Sequence, residues 1–233
     1  MSKLTGISPQ NIIKYVNELN SRQIIQKRGS MRAVLPSAIA NKLSDELLKG
    51  MSIDILIGII KENERLELSF FKRLRFLHNK EYSMQIARNY LNNMSFERIS
   101  KHEMDLLQCI KVIIPDEVLI KLGQIKNPVF FTRENTFFYE WARILNYIAY
   151  EPESFFSACL LLIRFAISES EKENSCSARD LLYSLFHIVG SGTHASFEER
   201  VRIIGFLIIL NDLISIKVVF SLVILTNLFL YLK

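Results

Sequence analysis

Eight glycines and five prolines are few for 233 residues. That scarcity argues against an all-β fold, which needs many tight turns. The three cysteines, at 109, 159 and 176, are odd in number and spaced for neither a disulfide framework nor a zinc site. Cys109 and Cys159 fall inside apolar helical patterns and read as small core residues, which suits a reducing cytoplasm. The opening MSKLTGISPQ has no apolar segment of the secretory kind. No G-x-x-x-x-G-K-[ST] phosphate loop, H-E-x-x-H pair or G-x-S-x-G nucleophile turn occurs. Gly190-Ser191-Gly192-Thr193-His194 has glycines but no lysine and follows a helix pattern instead of a strand. The four histidines, at 78, 102, 187 and 194, are scattered, and the paired carboxylates (Glu198-Glu199, Glu169 with Glu171) sit in polar stretches. Catalytic residues, cofactor and metal are therefore all expected to be absent, and the chain reads as a binder instead of an enzyme.

What is abundant is apolar surface. Hydrophobic residues make up 49% of the chain and include sixteen phenylalanines, which suits helices packed through bulky ridges. Apolar residues recur at helical spacing over 9–20, 36–49, 52–61, 66–78, 81–91, 103–112, 115–122, 137–150, 154–168, 178–189 and 197–210. Several starts are marked: Ser8-Pro9 as cap and first helical residue, Pro36, Pro115 and Pro152, and Ser196 with Glu199 as a capping box. In the second helix Ala38, Ile39, Leu43, Leu47 and Leu48 are expected to face inward, with Lys49-Gly50 closing it. Residues 169–177 are polar and read as a loop. Nine to eleven helices with short links pack most economically as successive antiparallel pairs, either as a solenoid-like hairpin array or as an irregular bundle. No repeat of fixed period is present in the residues themselves.

One stretch breaks the helical pattern. Ile24-Ile25 and Met31-Ala33-Val34-Leu35 are short strand candidates around Gly29-Ser30, between the helix at 9–20 and the helix opening at Pro36. This is the order of a β-hairpin wing in a small winged-helix-like module. Arg22, Lys27, Arg28 and Arg32 cluster on it as candidate contact residues. Residues 1–50 hold eight Lys or Arg against three Asp or Glu, which is the whole net charge of +5. Such a basic patch permits nucleic-acid contact, but the first helix offers only Asn11, Lys14 and Asn17 as readers. Packing of the wing against protein is the favoured expectation, and DNA binding is the alternative.

The chain thus divides into a winged-helix-like module at 1–50, a helical array at 51–212 and an apolar tail at 213–233. The run 218–232 would span roughly 22 Å as a helix, short of the ~30 Å hydrocarbon core. Extension back to Leu213 reaches a membrane-spanning length but includes Lys217, which can snorkel. The tail is read as a buried or truncated last helix, with membrane association as the alternative to a cytoplasmic location.

The run IIQKRGSMRAVLPSAIANKLSDELL resembles the segment that follows the nucleotide-binding module in a group of large bacterial STAND-type (signal-transducing P-loop) ATPases. Relatives of that broad class act in antiphage defence. The matched pattern, R-G-x-x-R-A-[VL]-L-P-x-A-[IL]-A-N-x-L, falls on Arg28, Gly29, Arg32, Ala33, Val34, Leu35, Pro36, Ala38, Ile39, Ala40, Asn41 and Leu43. FFKRLRFLHNKEYSMQIARNYL and the helical text from Asn127 to about Leu210 are similar to the region after it. The resemblance implies that this is the middle of a longer protein without its ATPase core, so none of the family's phosphate-binding residues maps here. It further implies signal coupling through protein contacts, with a protein partner or a separately encoded ATPase core, and places Arg28 and Arg32 toward that core. Residues 218–233 depart from the familiar text.

Overall fold

The computed structural model of the chain describes residues 6–28, 31–34, 37–169, 177–187 and 191–209. It is mainly helical, as expected, with eleven α-helices and one two-stranded sheet among the described residues. The chain divides into two compact units, 1–93 and 94–233.

In the first unit, helix α1 (Pro9–Ser21) begins where Ser8 caps it, its hydroxyl accepting from the Asn11 amide at 3.3 Å. It ends in a Schellman closure: the Gln23 amide donates to Asn20 O and the Ile24 amide to Leu19 O, both at 3.0 Å. Gln23 carries this turn at φ 57°, a left-handed conformation without glycine. The closure aims the chain into strand β1 (Ile25–Arg28), which pairs antiparallel with β2 (Met31–Val34). Ile25 is buried and stands opposite Val34. Gly29, Ser30, Leu35 and Pro36 lie outside the described residues.

Helix α2 (Ser37–Lys49) packs on β2 and on the 3-10 turn Arg75–Leu77. It is followed by α3 (Ile53–Ile60), α4 (Glu64–Leu74) and α5 (Glu81–Asn93). Asn63 caps α4 by accepting from the Arg65 and Leu66 amides. Two polar ties hold these helices. Tyr82 on α5 donates to Asp45 on α2 at 2.9 Å, and Lys49 and Lys80 pair with the same carboxylate at 3.0 and 3.5 Å. Tyr90 donates to the buried Glu67 at 2.7 Å, with Lys61 4.9 Å over its ring and Phe71 edge-on at 4.7 Å. Lys49 and Tyr82 hold the Asp45 carboxyl below its usual value, while burial and the Asp45 bond push Tyr82 up to about 12.

The expected inward face of α2 is corrected by the structure. Ile39, Leu43 and Leu47 form a stripe at i, i+4, i+8 and are exposed. The helix instead turns Asn41, Ser44, Asp45 and Leu48, all half-buried, toward the protein. Similarly α1 has no buried residue: Ile12 and Val16 are half-buried, while Ile13, Tyr15 and Leu19 are exposed.

In the second unit, a 3-10 turn (Phe96–Arg98) leads to α6 (Lys101–Ile113), α7 (Pro115–Gly123) and a second 3-10 turn (Pro128–Phe131). Then come α8 (Phe138–Ile148), α9 (Pro152–Ser168), α10 (Ala178–Ser184) and α11 (Phe197–Ile209). α10 is shorter than the sequence pattern suggests, since the chain leaves the helix at Leu185-Phe186. α6 carries a full capping box between Ser100 and Glu103, and α11 the expected one between Ser196 and Glu199. Each main helix–helix contact of this unit joins neighbours or next neighbours in sequence: α6 with α7 and α8, α7 with α8 and α9, α8 with α9 and α10, α9 with α10 and α11.

Its core is aromatic. Trp141 is fully buried, 4.8 Å from Phe96 and 5.3 Å from Phe130, and Phe165 packs against Phe130, Phe131 and Phe138. Glu169, buried just past α9, accepts from Arg133, from the Ser177 hydroxyl and from the Ala178 and Arg179 amides at 2.7 to 3.1 Å. A buried carboxylate satisfied this fully ties the end of α9 to the start of α10 and to the loop bearing Arg133.

Two outcomes are expected. Gln23→Gly should raise the stability of the first unit by roughly 0.5–1 kcal/mol in urea unfolding, because glycine relieves the left-handed strain and offsets part of that gain in the unfolded chain. Asp45 contributes stability above its ordinary carboxylate range, and that contribution is lost as pH falls through its lowered native value. Urea midpoints of the wild type and of Asp45→Asn should therefore converge as pH falls from about 5, through the ordinary carboxylate value, toward about 2. A constant gap would show that the charge is not the source.

Candidate functional site

The residues that could carry chemistry are engaged in structure. Cys159 is fully buried in α9, where burial pushes its thiol well above the usual range, and Cys109 is buried in α6. Cys176 lies outside the described residues. In the 191–194 loop the amides that a phosphate would need are taken: Gly192 donates to Ser184 O at 2.9 Å, Thr193 to the Ser191 hydroxyl, and His194 to Tyr150 O at 2.8 Å. A Cβ at Gly192 would be tight, meeting Ser184 Oγ at 3.2 Å and Ser184 O at 3.4 Å. The His194 ring pairs with the Tyr150 hydroxyl at 2.7 Å. Among the described residues, no group of three His, Cys, Asp or Glu is placed to hold a metal ion.

Lys111 is a polar residue that sequence reasoning missed. It is buried on α6, donates to Gln108 Oε1 at 2.7 Å and lies 4.6 Å over the Tyr147 ring. Burial, assisted by the nearby Arg143 charge, pushes its amine down to about 8. Nothing in the local pattern distinguishes it from a surface lysine, because its burial comes from α8 folding across α6.

The expected wing residues are placed as follows. Arg22 closes α1, and its guanidinium pairs with Glu18 at 2.6 Å on the surface. Lys27 and Arg28 lie on β1 and Arg32 on β2, with Lys27 and Arg32 as register partners and Arg28 opposite Met31. Beyond the backbone, these three lie outside the described residues.

The most developed surface feature of the first unit is an apolar groove between α2, α3 and α4, with a volume of about 280 Å³. Its floor is the buried side chains of Leu56, Ile60, Leu74 and Leu77. Its rim is open: Leu47 on α2 is 62% exposed and Leu66 on α4 is 47% exposed. Arg73, exposed in the last turn of α4, is the one charged side chain among the lining residues, and the only other polar ones are Asn41 and Ser44. Leu47 also belongs to the exposed Ile39–Leu43–Leu47 stripe of α2 and stands at the edge between it and the groove. α3 is apolar at every position but Asp54 and Gly58 and supplies Leu56, Ile59 and Ile60 to the groove.

No protein-family model, curated protein or solved structure matches this chain. The site is therefore read from its own geometry. An open apolar channel bordered by exposed leucines is suited to receiving another apolar surface, and it brings no nucleophile or acid–base pair to one point. No helix among the described residues is long and apolar enough to cross a membrane, and the tail at 213–233 lies outside them.

Floor and rim should respond differently to truncation. Leu74→Ala should cost roughly 2–5 kcal/mol in urea unfolding, as a cavity-forming change in a buried site. Leu47→Ser should stay within about 0.5 kcal/mol of wild type, because its side chain is already in water.

Proposed function

We propose that this chain works by binding and coupling instead of catalysis, as the connector and helical arm of a STAND-type regulator whose ATP-hydrolysing core is a separate stretch of polypeptide. The observation that carries this reading is the apolar surface left open on the first unit. Ile13, Tyr15 and Leu19 on α1 and Ile39, Leu43 and Leu47 on α2, the helices on either side of the hairpin in sequence, are each exposed. Side chains of this kind cost free energy in water and gain it when a partner covers them, at about 25 cal/mol per Å². The order helix, hairpin, helix over residues 9–49 supports a winged-helix-type module for this role. The neighbour and next-neighbour contacts of α6 to α11 support stacked helical hairpins as the arm. In this reading the wing residues Arg22, Lys27, Arg28 and Arg32 border the surface that meets the core.

DNA binding is favoured by one observation, the excess of 15 Lys or Arg over 8 Asp or Glu in residues 1–93. It would appear as a gel shift that weakens steeply with salt.

The coupling reading is tested by looking for a P-loop ATPase core encoded beside this gene, whose absence would overturn it, then mixing that core with the purified chain and following the mixture by size-exclusion chromatography. The expected result is co-elution at roughly 10 µM and a changed rate of ATP hydrolysis. The Ile39→Asp/Leu43→Asp variant, whose changes lie on an exposed stripe, should keep its helical circular dichroism and lose co-elution. Separate elution of the wild type, or ATP hydrolysis by the chain unaided, would overturn the reading.

A further inference from the structure

The groove between α2, α3 and α4 carries more than an apolar surface, because it has a charge of one sign and a shape of one kind. Thirteen residues line it, and none of them is acidic. Four other cations of the first unit pair with carboxylates: Arg22 with Glu18, Lys49 and Lys80 with Asp45, and Arg88 with Glu81. Arg73 has no such carboxylate within ion-pair distance among the described residues, and its neighbours Lys72 and Arg75 add to the same sign. The unit as a whole carries 15 basic against 8 acidic residues. An apolar trough with an unmatched guanidinium on its wall asks for a ligand with apolar side chains and a carboxylate beside them.

The dimensions select among such ligands. A site for a small lipid-like acid would enclose most of it, burying 70–90% of its surface in about 300–1,000 Å³. This groove holds about 280 Å³, and its rim leucines 47 and 66 are 62% and 47% exposed. A helix is the ligand whose side chains at i, i+3 or i+4 and i+7 fill a short trough while its body stays outside in water. An anionic membrane would meet the exposed stripe but would leave the buried floor of Leu56, Ile60 and Leu74 untouched.

We propose that the α2–α3–α4 groove is the docking site for an acidic amphipathic helix of a protein partner, whose apolar stripe seats between Leu47 and Leu66 and whose flanking carboxylate pairs with Arg73. The assignment rests on the reading that the chain acts through protein contacts, and it names the chemistry of one such contact.

The test uses the full chain and two helix-stapled peptides with the same leucine stripe, one flanked by glutamates and the other by lysines. Binding is followed by fluorescence anisotropy at low salt. The glutamate peptide should bind with a dissociation constant below roughly 100 µM and the lysine peptide at least about fivefold more weakly. Arg73→Glu, an exposed change, should reverse that preference, and Leu66→Asp should abolish binding of both, with circular dichroism confirming the fold in each variant. Equal binding of the two peptides, no binding of the glutamate peptide at about 100 µM, or an unchanged preference in Arg73→Glu would each overturn the assignment. So would binding of the wild type to phosphatidylglycerol vesicles that Leu66→Asp leaves intact while neither peptide binds. The two readings fail separately. If the ATPase core still co-elutes with Leu66→Asp and the peptides do not bind, the groove assignment falls and the coupling reading stands. If the glutamate peptide binds with the stated dependence and the core does not co-elute, the reverse holds.

Discussion

The hydrogen bond from Tyr82 to Asp45 ties α2 to α5 on the side of α2 that faces the protein. Asp45 lies across the helix from Ile39 and Leu43, so the apolar stripe lies on the side away from that tie. Lys49 and Lys80 close on the same carboxylate and keep it ionised, which makes the tie strongest where both lysines are protonated and Tyr82 keeps its proton to donate. Asn41, Ser44 and Leu48 share the inner side with Asp45, and Ile39, Leu43 and Leu47 stay in water.

The second unit has the opposite character. Its polar groups serve enclosure: Glu169 gathers a guanidinium, a hydroxyl and two amides, Asp116 accepts from Ser154 at 2.6 Å, and Asn146 donates to the Leu181 carbonyl. Each joins two elements that the aromatic core already brings close, so polar and apolar contacts reinforce one another. Cations lie on aromatic faces here as well, with Arg164 3.5 Å over Phe131 and Arg133 4.6 Å over Phe138. The first unit leaves the Ile39–Leu43–Leu47 stripe and the rim of its groove in water. The coupling proposed above would draw on that surface, which gains free energy when covered.

Much of the fold was legible in local signals. Ser8 and the Ser196–Glu199 box mark helix starts because capping is local: a hydroxyl or carboxylate reaches an amide three residues away. Pro115 and Pro152 mark starts because proline at the first helical position has a preset φ and lacks only an amide that the helix leaves unbonded. The Ser100–Glu103 box was equally available in the text and starts its helix at Lys101, two residues ahead of the expected start at 103. The hairpin's pairing of Ile25 with Val34 was likewise readable from two short apolar runs. Exposure was not readable. The stripe Ile39–Leu43–Leu47 has the spacing of a core face, and only the partner of Asp45, 37 residues away, shows that it is not one.

The sequence by itself determined that this protein is helical, where most helices begin and that a hairpin interrupts the first two, because each of these depends on neighbours within a few positions. The tertiary structure decided which apolar residues remain in water, that Lys111 is buried under Tyr147, that Arg73 borders a groove, and that Glu169 is the junction of three segments. Those outcomes depend on side chains that meet only after the chain has folded, and burial is a property of the whole packing and not of any residue's own neighbourhood.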